Sequence, residues 1–202
     1  MRTRFGTPLV FLAAYCLANS PLLHASHADC RLTLADDEGP YYRSGAPVRD
    51  SGIICDVFEY ANGTSLLIKG RVTNNDCQTG IHALLDIWQA DPYGEYSLMP
   101  NDYTCRGRIL TDPEGYFTIE TVVPGRYAAG EAYRPAHLHW KVSPVNSPDD
   151  ILTTQLYFEH DPFLGKVDPC YPRCHSGDPT ITMPLDHNKE NIDVIQWNVV
   201  LH

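Results

Sequence analysis

From residue 64 onward the chain carries short apolar runs of alternating or β-branched character, separated by turn chemistry. Thr64–Thr73 comes first, then His82–Gln89 and Arg106–Leu110. Asp112-Pro113-Glu114-Gly115 is a turn signal, and Tyr116–Val123 follows it as the next strand. Pro124-Gly125 marks another turn, and His137–Val142, Leu152–Phe158 and Asp193–Leu201 complete the series. No long stretch has a helical period. The pattern predicts an all-β fold, a β-sandwich of about seven or eight mainly antiparallel strands.

Two regions fall outside the sandwich. Residues 29–60 are polar with scattered Pro and Gly, and are expected to wrap it as an N-terminal arm with one short helix at most. Residues 161–191 contain Pro162, Pro169, Pro172, Pro179 and Pro184, too many for a regular element. That C-terminal loop includes Cys170 and Cys174, so a disulfide is expected to pin it.

The start of the chain has a different character. Arg2 and Arg4 precede an apolar run from Phe5 to Ala18, and Ser26 and Ala28 offer a small-x-small cleavage site. Residues 1–28 therefore read as a secretory signal peptide. The apolar run is too short for a helix to span a bilayer core of about 30 Å. What remains, 29–202, is long enough for one domain, expected to be extracellular and without a membrane partner. The leader holds two basic residues and no acid, so 13 basic residues face 25 acids, a net charge near −12. A phosphate backbone is repelled on average, which argues against nucleic acid as a partner.

Six cysteines stay after the leader: Cys30, Cys55, Cys77, Cys105, Cys170 and Cys174. An even count in an exported chain reads as disulfides, and the sequence does not choose among the roughly 15 full pairings. Zinc is the rival reading of the Cys170/Cys174 pair, disfavoured because no second pair matches it. Asn62-Gly63-Thr64 is either a glycosylation acceptor or an unused tripeptide.

The strongest local feature is Arg134-Pro135-Ala136-His137-Leu138-His139-Trp140. In a strand, residues i and i+2 share a face, so both imidazoles can reach one metal ion. Two polar positions on a wet face would read the same way. Upstream stand Asp91-Pro92-Tyr93-Gly94-Glu95-Tyr96 and, after Thr111-Asp112-Pro113-Glu114-Gly115-Tyr116-Phe117, Pro124-Gly125-Arg126-Tyr127. The strand–turn–strand piece alone also suits non-catalytic sandwich modules in which the tyrosine only packs.

Together and in this order, the segments resemble the intradiol ring-cleavage dioxygenases over roughly residues 38–161. The resemblance implies Fe(III) bound by Tyr96, Tyr127, His137 and His139, with Arg134 as the active-site arginine and Gln155 as a glutamine orienting the ligands. Glu38-Gly39-Pro40-Tyr41-Tyr42 resembles the family's segment over the substrate mouth, which makes Gly39, Pro40 and Tyr41 pocket-wall candidates. The implied substrates are small catechols and O2, and the product is a muconate-type diacid. Tyr96 is the implied displaceable ligand and proton acceptor. Fe(III) is a hard cation that prefers anionic oxygen and accepts imidazole, and a bound cation can hold tyrosine as phenolate.

Only about 30 polar residues separate the cleavage site from the sandwich, too few for the helical dimerisation region of catechol-type members. The short Tyr127–Arg134 segment is similar to that of protocatechuate-type members. Ala129 stands where those members carry an aromatic residue, which implies a broader pocket for substituted catechols. Arg106, Arg108 and Arg126 are candidates for a substrate carboxylate, and a monomer is expected. The rival functions are a secreted binding sandwich and a Zn or Cu hydrolase.

Overall fold

The computed structural model describes residues 30–187 and 192–202. The expected signal peptide lies outside the described residues. Among the described residues the strands are β1 (Ser65–Thr73), β2 (Ala83–Gln89), β3 (Arg106–Leu110), β4 (Tyr116–Val122), β5 (Ala128–Ala129), β6 (Ala132–Tyr133), β7 (His137–Pro144), β8 (Leu152–Phe158), β9 (Thr182–Met183), β10 (Asp186–His187), β11 (Asp193–Gln196) and β12 (Val199–Val200). One sheet runs β10-β11-β1-β12 with β4 also paired to β1, a second runs β3-β2-β7-β8-β9, and β5 pairs with β6 in a two-stranded hairpin. Six of the seven expected strands are present as single strands. No helix among the described residues is long and apolar enough to cross a membrane.

Two expectations need correction. Asp193–Leu201 is not one strand: both of its pieces run parallel to β1, with Lys69 opposite Gln196 and Val72 opposite Val199. Between them, Trp197 turns its ring into the core, 5.0 Å from and edge-on to Trp140. Its carbonyl oxygen then occupies the place a Cβ at Gly70 would take. The Pro-rich loop also holds two short strands. β9 pairs with β8 and β10 with β11, which is possible because Pro184 falls between them, where no ladder donor is needed.

Leu66, Ile68, Phe117, Ile119 and Ile195 of one sheet meet Leu85, Ile87, Leu138, Trp140 and Leu156 of the other in one hydrophobic core. The strand period then sends the alternate residues of the second sheet outward. That set includes Trp88 on β2, His137 and His139 on β7, and Gln155 and Tyr157 on β8, with His139 directly opposite both Trp88 and Gln155. An outer face is normally wet, yet all five residues are buried. The arm and the 161–181 segment cover them. The arm is tied by Asp36 N–H to the Thr153 carbonyl and by paired bonds between Pro47–Arg49 and Arg108. Its one helical piece is a 3-10 turn, Val57–Glu59.

All six remaining cysteines pair, as Cys30–Cys77, Cys55–Cys105 and Cys170–Cys174. The third bridge consumes the thiols that a zinc site would need, although an Asp37 oxygen lies close to both sulfurs.

Candidate active site

His137 and His139 project from one face of β7 into a dry space. His137 Nδ1 lies 2.6 Å from the Pro135 carbonyl, so that nitrogen carries the proton and Nε2 presents a lone pair. Burial, reinforced by the charge of Arg134, pushes the His137 imidazole down to about 3. Burial and then His137 and Arg134 hold His139 well below its ordinary range too. Both rings are therefore neutral at pH 7. Trp88 stacks on the other side of His139, with ring centroids 4.9 Å apart and planes 4° from parallel, which fixes that ring.

The two tyrosines arrive on separate turns locked to each other. Asp91 accepts from Tyr93 N–H and Glu95 N–H through its side chain. Its carbonyl accepts from Gly94 N–H at 3.0 Å and from Gly125 N–H at 2.8 Å, joining the turns. Gly94 has φ +85°, and a Cβ there would stand 2.4 Å from the Arg126 carbonyl oxygen. Only glycine permits that approach. It sets the Tyr96 and Tyr127 rings 5.7 Å apart, with Tyr127 also 5.7 Å from His137 and Tyr96 6.4 Å from His139.

The donor atoms fit a metal ion. The Nε2 atoms of the two histidines stand 3.1 Å apart. Metal–imidazole bonds of about 2.1 Å at a near-right angle would set two nitrogens about 3.0 Å apart. The Tyr96 hydroxyl is buried with no hydrogen-bond partner among the described residues, a costly state that a bound cation would relieve. Burial and the nearby Tyr127 push the Tyr96 phenol above its usual value. Two phenol oxygens with two neutral imidazoles suit a hard, highly charged cation better than zinc or copper.

A dioxygenase family model matches residues 37–202. The chain belongs to the intradiol ring-cleavage dioxygenase family. A chlorocatechol 1,2-dioxygenase from Pseudomonas putida is 28% identical over 184 residues, 82% of this chain and 67% of that one. The crystal structure of 3-chlorocatechol 1,2-dioxygenase from Rhodococcus opacus 1CP superposes with a TM-score of 0.71 at 30% identity, covering 83% of this chain and 71% of that one. The dioxygenase domain of a dioxygenase–carbohydrate-binding fusion from Streptomyces sp. SirexAA-E gives 0.69 at 30% identity, covering 85% and 98%.

In this intradiol dioxygenase Arg134 is 4% exposed, a buried cation rather than a surface one. Its Nη1 reaches the Tyr127 hydroxyl at 3.4 Å, and Nη2 donates to the Tyr157 hydroxyl at 3.0 Å and to Gln155 Oε1 at 3.3 Å. Gln155 is not bonded to a histidine. Its Oε1 also accepts from Tyr157, and its Nε2 donates to the Asp37 carbonyl, so it ties the arginine to the arm. The Tyr157 hydroxyl also lies 3.0 Å from Asp36 Oδ2, so its single proton is shared between that carboxylate and Gln155 Oε1.

Tyr41 of the arm stacks on Tyr96 at 4.3 Å and meets Tyr127 edge-on at 5.6 Å. A Cβ on Gly39 would touch the His139 ring at 3.0 Å. Pro40 is exposed, and Ala129 lies half-buried on the β5–β6 hairpin two residues beyond Tyr127. Of the basic candidates, Arg126 pairs with Asp161 and Arg108 bonds the Ala46 carbonyl. Arg106 is buried, donates to the Tyr41 carbonyl, and stands 5.7 Å from the Tyr96 ring centre.

Trp88, Tyr157, Asp36 and Asp168 belong to the site and are absent from the sequence-derived set. Trp88 and Tyr157 were within reach, since Tyr157 shares its face with Gln155 at i+2. Asp36 and Asp168 sit in irregular segments with no period to place them.

Proposed function

We propose that the protein holds Fe(III) with Tyr96, Tyr127, His137 and His139 and cleaves small catechols with O2 to muconate-type diacids. The observation that carries this reading is the pair of neutral, buried imidazoles 3.1 Å apart, flanked by two tyrosines of which one has a hydroxyl without a partner among the described residues. When bound, ferric iron would supply a Lewis acid that chelates both catechol oxygens and opens the ring to attack by O2. The bond between the two hydroxyl-bearing carbons breaks and each carbon gains one oxygen atom. O2 takes the electrons, so no further reductant is needed.

The chain's residues divide the remaining work. Tyr96 would accept a catechol proton: its buried surroundings disfavour the phenolate, so the phenol oxygen holds a proton firmly. Tyr127 and the two histidines remain as the mount. Arg134 stabilises negative charge developing on the ring, in a dry site where such a charge acts strongly. Tyr41, stacked on Tyr96, forms a wall that excludes water. The relatives named for chlorocatechol support a substituted catechol as substrate. Six paired cysteines support an oxidising, extracellular destination.

Protein purified without chelators is expected to contain iron, to be red-brown from tyrosinate charge transfer, and to shift that band with 4-methylcatechol. Tyr127→Phe should lose the colour or the turnover, while Tyr116→Phe, on the exposed face of β4, keeps both. A colourless, iron-free protein refutes the assignment. Export predicts a mature N-terminus at Asp29, read by sequencing the secreted protein.

A further inference from the structure

An arginine that must face a bound ring needs its plane fixed, because its long side chain otherwise samples many rotamers. The guanidinium of Arg134 is fixed from behind by a residue in the Pro-rich segment. Nε donates to Asp168 Oδ1 at 2.9 Å and Nη2 to Oδ2 at 3.1 Å, a two-point fork that sets orientation as well as charge. Asp168 is 2% exposed and accepts two further bonds, from Cys170 N–H at 2.9 Å and from Ser176 Oγ at 2.9 Å. A carboxylate has about four acceptor positions, so its capacity is filled. The segment that supplies these bonds is closed on itself by the Cys170–Cys174 bridge. Gln155 Nε2, whose other end bonds Arg134, lies 3.7 Å from the Cys174 sulfur.

We infer that Asp168, held in a cradle formed by residues 168–176 and closed by the Cys170–Cys174 bridge, is a positioning residue that sets the plane of Arg134 for substrate. This rests on the proposed function insofar as Arg134 faces a bound catechol. Without the fork, the Arg134 guanidinium keeps, among the described residues, only single contacts to the Tyr157 and Tyr127 oxygens and to Gln155 Oε1. The bridge spans four positions in sequence. It restrains the local path of the chain rather than linking distant parts of the fold.

The test uses iron-loaded wild type, Asp168→Asn, Asp168→Glu and Cys170→Ser/Cys174→Ser. Iron content and the visible band should match wild type in all three variants. Anaerobic titration with 4-methylcatechol should show Kd raised about tenfold to a hundredfold in Asp168→Asn, the usual cost of losing an orienting partner. Asp168→Glu should recover part of that loss, and the bridge-free protein should shift in the same direction. In the metal-free proteins, NMR of the Arg134 Nε–H should show slow solvent exchange in wild type, lost in Asp168→Asn and in the bridge-free variant.

An Asp168→Asn protein that keeps its iron and binds catechol as wild type does overturns the inference. Should Asp168→Asn fail to fold, a bridge-free protein with wild-type Kd and a protected Arg134 Nε–H overturns it instead. Adding Asp168→Asn to Arg134→Lys should cost much less than in wild type; an equal cost also overturns it. A wild type that neither binds nor cleaves any catechol defeats the functional reading, while the exchange measurement still decides whether Asp168 and the bridge hold Arg134.

Discussion

Replacing Gly94 by Ala should damage the site more than the fold. The new Cβ would lie 2.4 Å from the Arg126 carbonyl oxygen, at a residue with φ +85°. A non-glycine residue in that left-handed region costs about 1–2 kcal/mol. Relieving the clash requires the two tyrosine-bearing turns to part by roughly 1 Å to reach ordinary contact. That movement strains or breaks the 2.8 Å bond from Gly125 N–H to the Asp91 carbonyl, worth about 0.5–1.5 kcal/mol. The total is about 1.5–3.5 kcal/mol of stability, measurable by urea unfolding of the metal-free protein. The functional cost follows from displacing Tyr96 relative to Tyr127: a 1 Å misplacement can cost about a hundredfold in rate. Gly130→Ala is the control. It has φ +69° with no described atom within 4 Å of its would-be Cβ, so it should lose about 1–2 kcal/mol from strain alone and leave iron binding intact. Equal effects of the two substitutions on iron content and catechol turnover would refute the claim that glycine is needed for close approach.

Acid should weaken the metal-free protein through its buried histidines. The folded-state value of His137 is pushed down to about 3, against about 6.5 unfolded. The unfolded chain thus binds the extra proton between those values, and stability falls as pH drops through that window. His137 alone should cost about 2 kcal/mol at pH 5 relative to pH 8, seen as a lower urea midpoint; a flat profile from pH 8 to pH 5 would contradict a buried neutral ring. Reductant should act on the two long-range bridges. Cys30–Cys77 and Cys55–Cys105 span 47 and 50 positions, and chain-entropy reasoning gives about 4 kcal/mol for each. Dithiothreitol should therefore lower Tm by tens of degrees, and an unchanged Tm after confirmed thiol labelling would count against those pairings.

The strands were legible because each sheet buries one face of each strand in a common core, and the period-2 pattern records it. Tyr96, Tyr127, His137 and His139 were legible for different reasons. The His-x-His pair follows from strand geometry, while the tyrosines sit at turn edges, where tyrosine is common, and were singled out by the family resemblance. The outer face of β7 and β8 was the harder part. A polar residue there reads the same in sequence whether water or another segment covers it, so the burial of Gln155 and Tyr157 was not visible. Trp197 shows the same limit. It broke an expected strand because its ring was needed in the core against Trp140, a tertiary demand that local propensity does not register.

The covering of that outer face explains where the bridges fall. The arm carries Gly39 and Tyr41 onto His139, Tyr96 and Tyr127, yet within residues 30–56 it has no regular strand or helix to hold it. Its backbone is tied only at intervals, through Thr33, Asp36, Arg49 and Ile54 among others. Such a segment opens locally at little cost unless it is fastened. Cys30–Cys77 fastens the start of the arm beside the β1–β2 turn, and Cys55–Cys105 fastens its end at the edge of β3. Both cross-links thus flank the stretch that completes the site, and the third closes the cradle behind Arg134. The covalent restraint is concentrated on the irregular segments over the site, which have few regular backbone bonds, while the sandwich core holds itself together through Leu, Ile and Trp contacts. Reduction should therefore expose Tyr41 and Tyr96 to solvent before it disturbs Trp140, a sequence of events that site-resolved hydrogen exchange can follow.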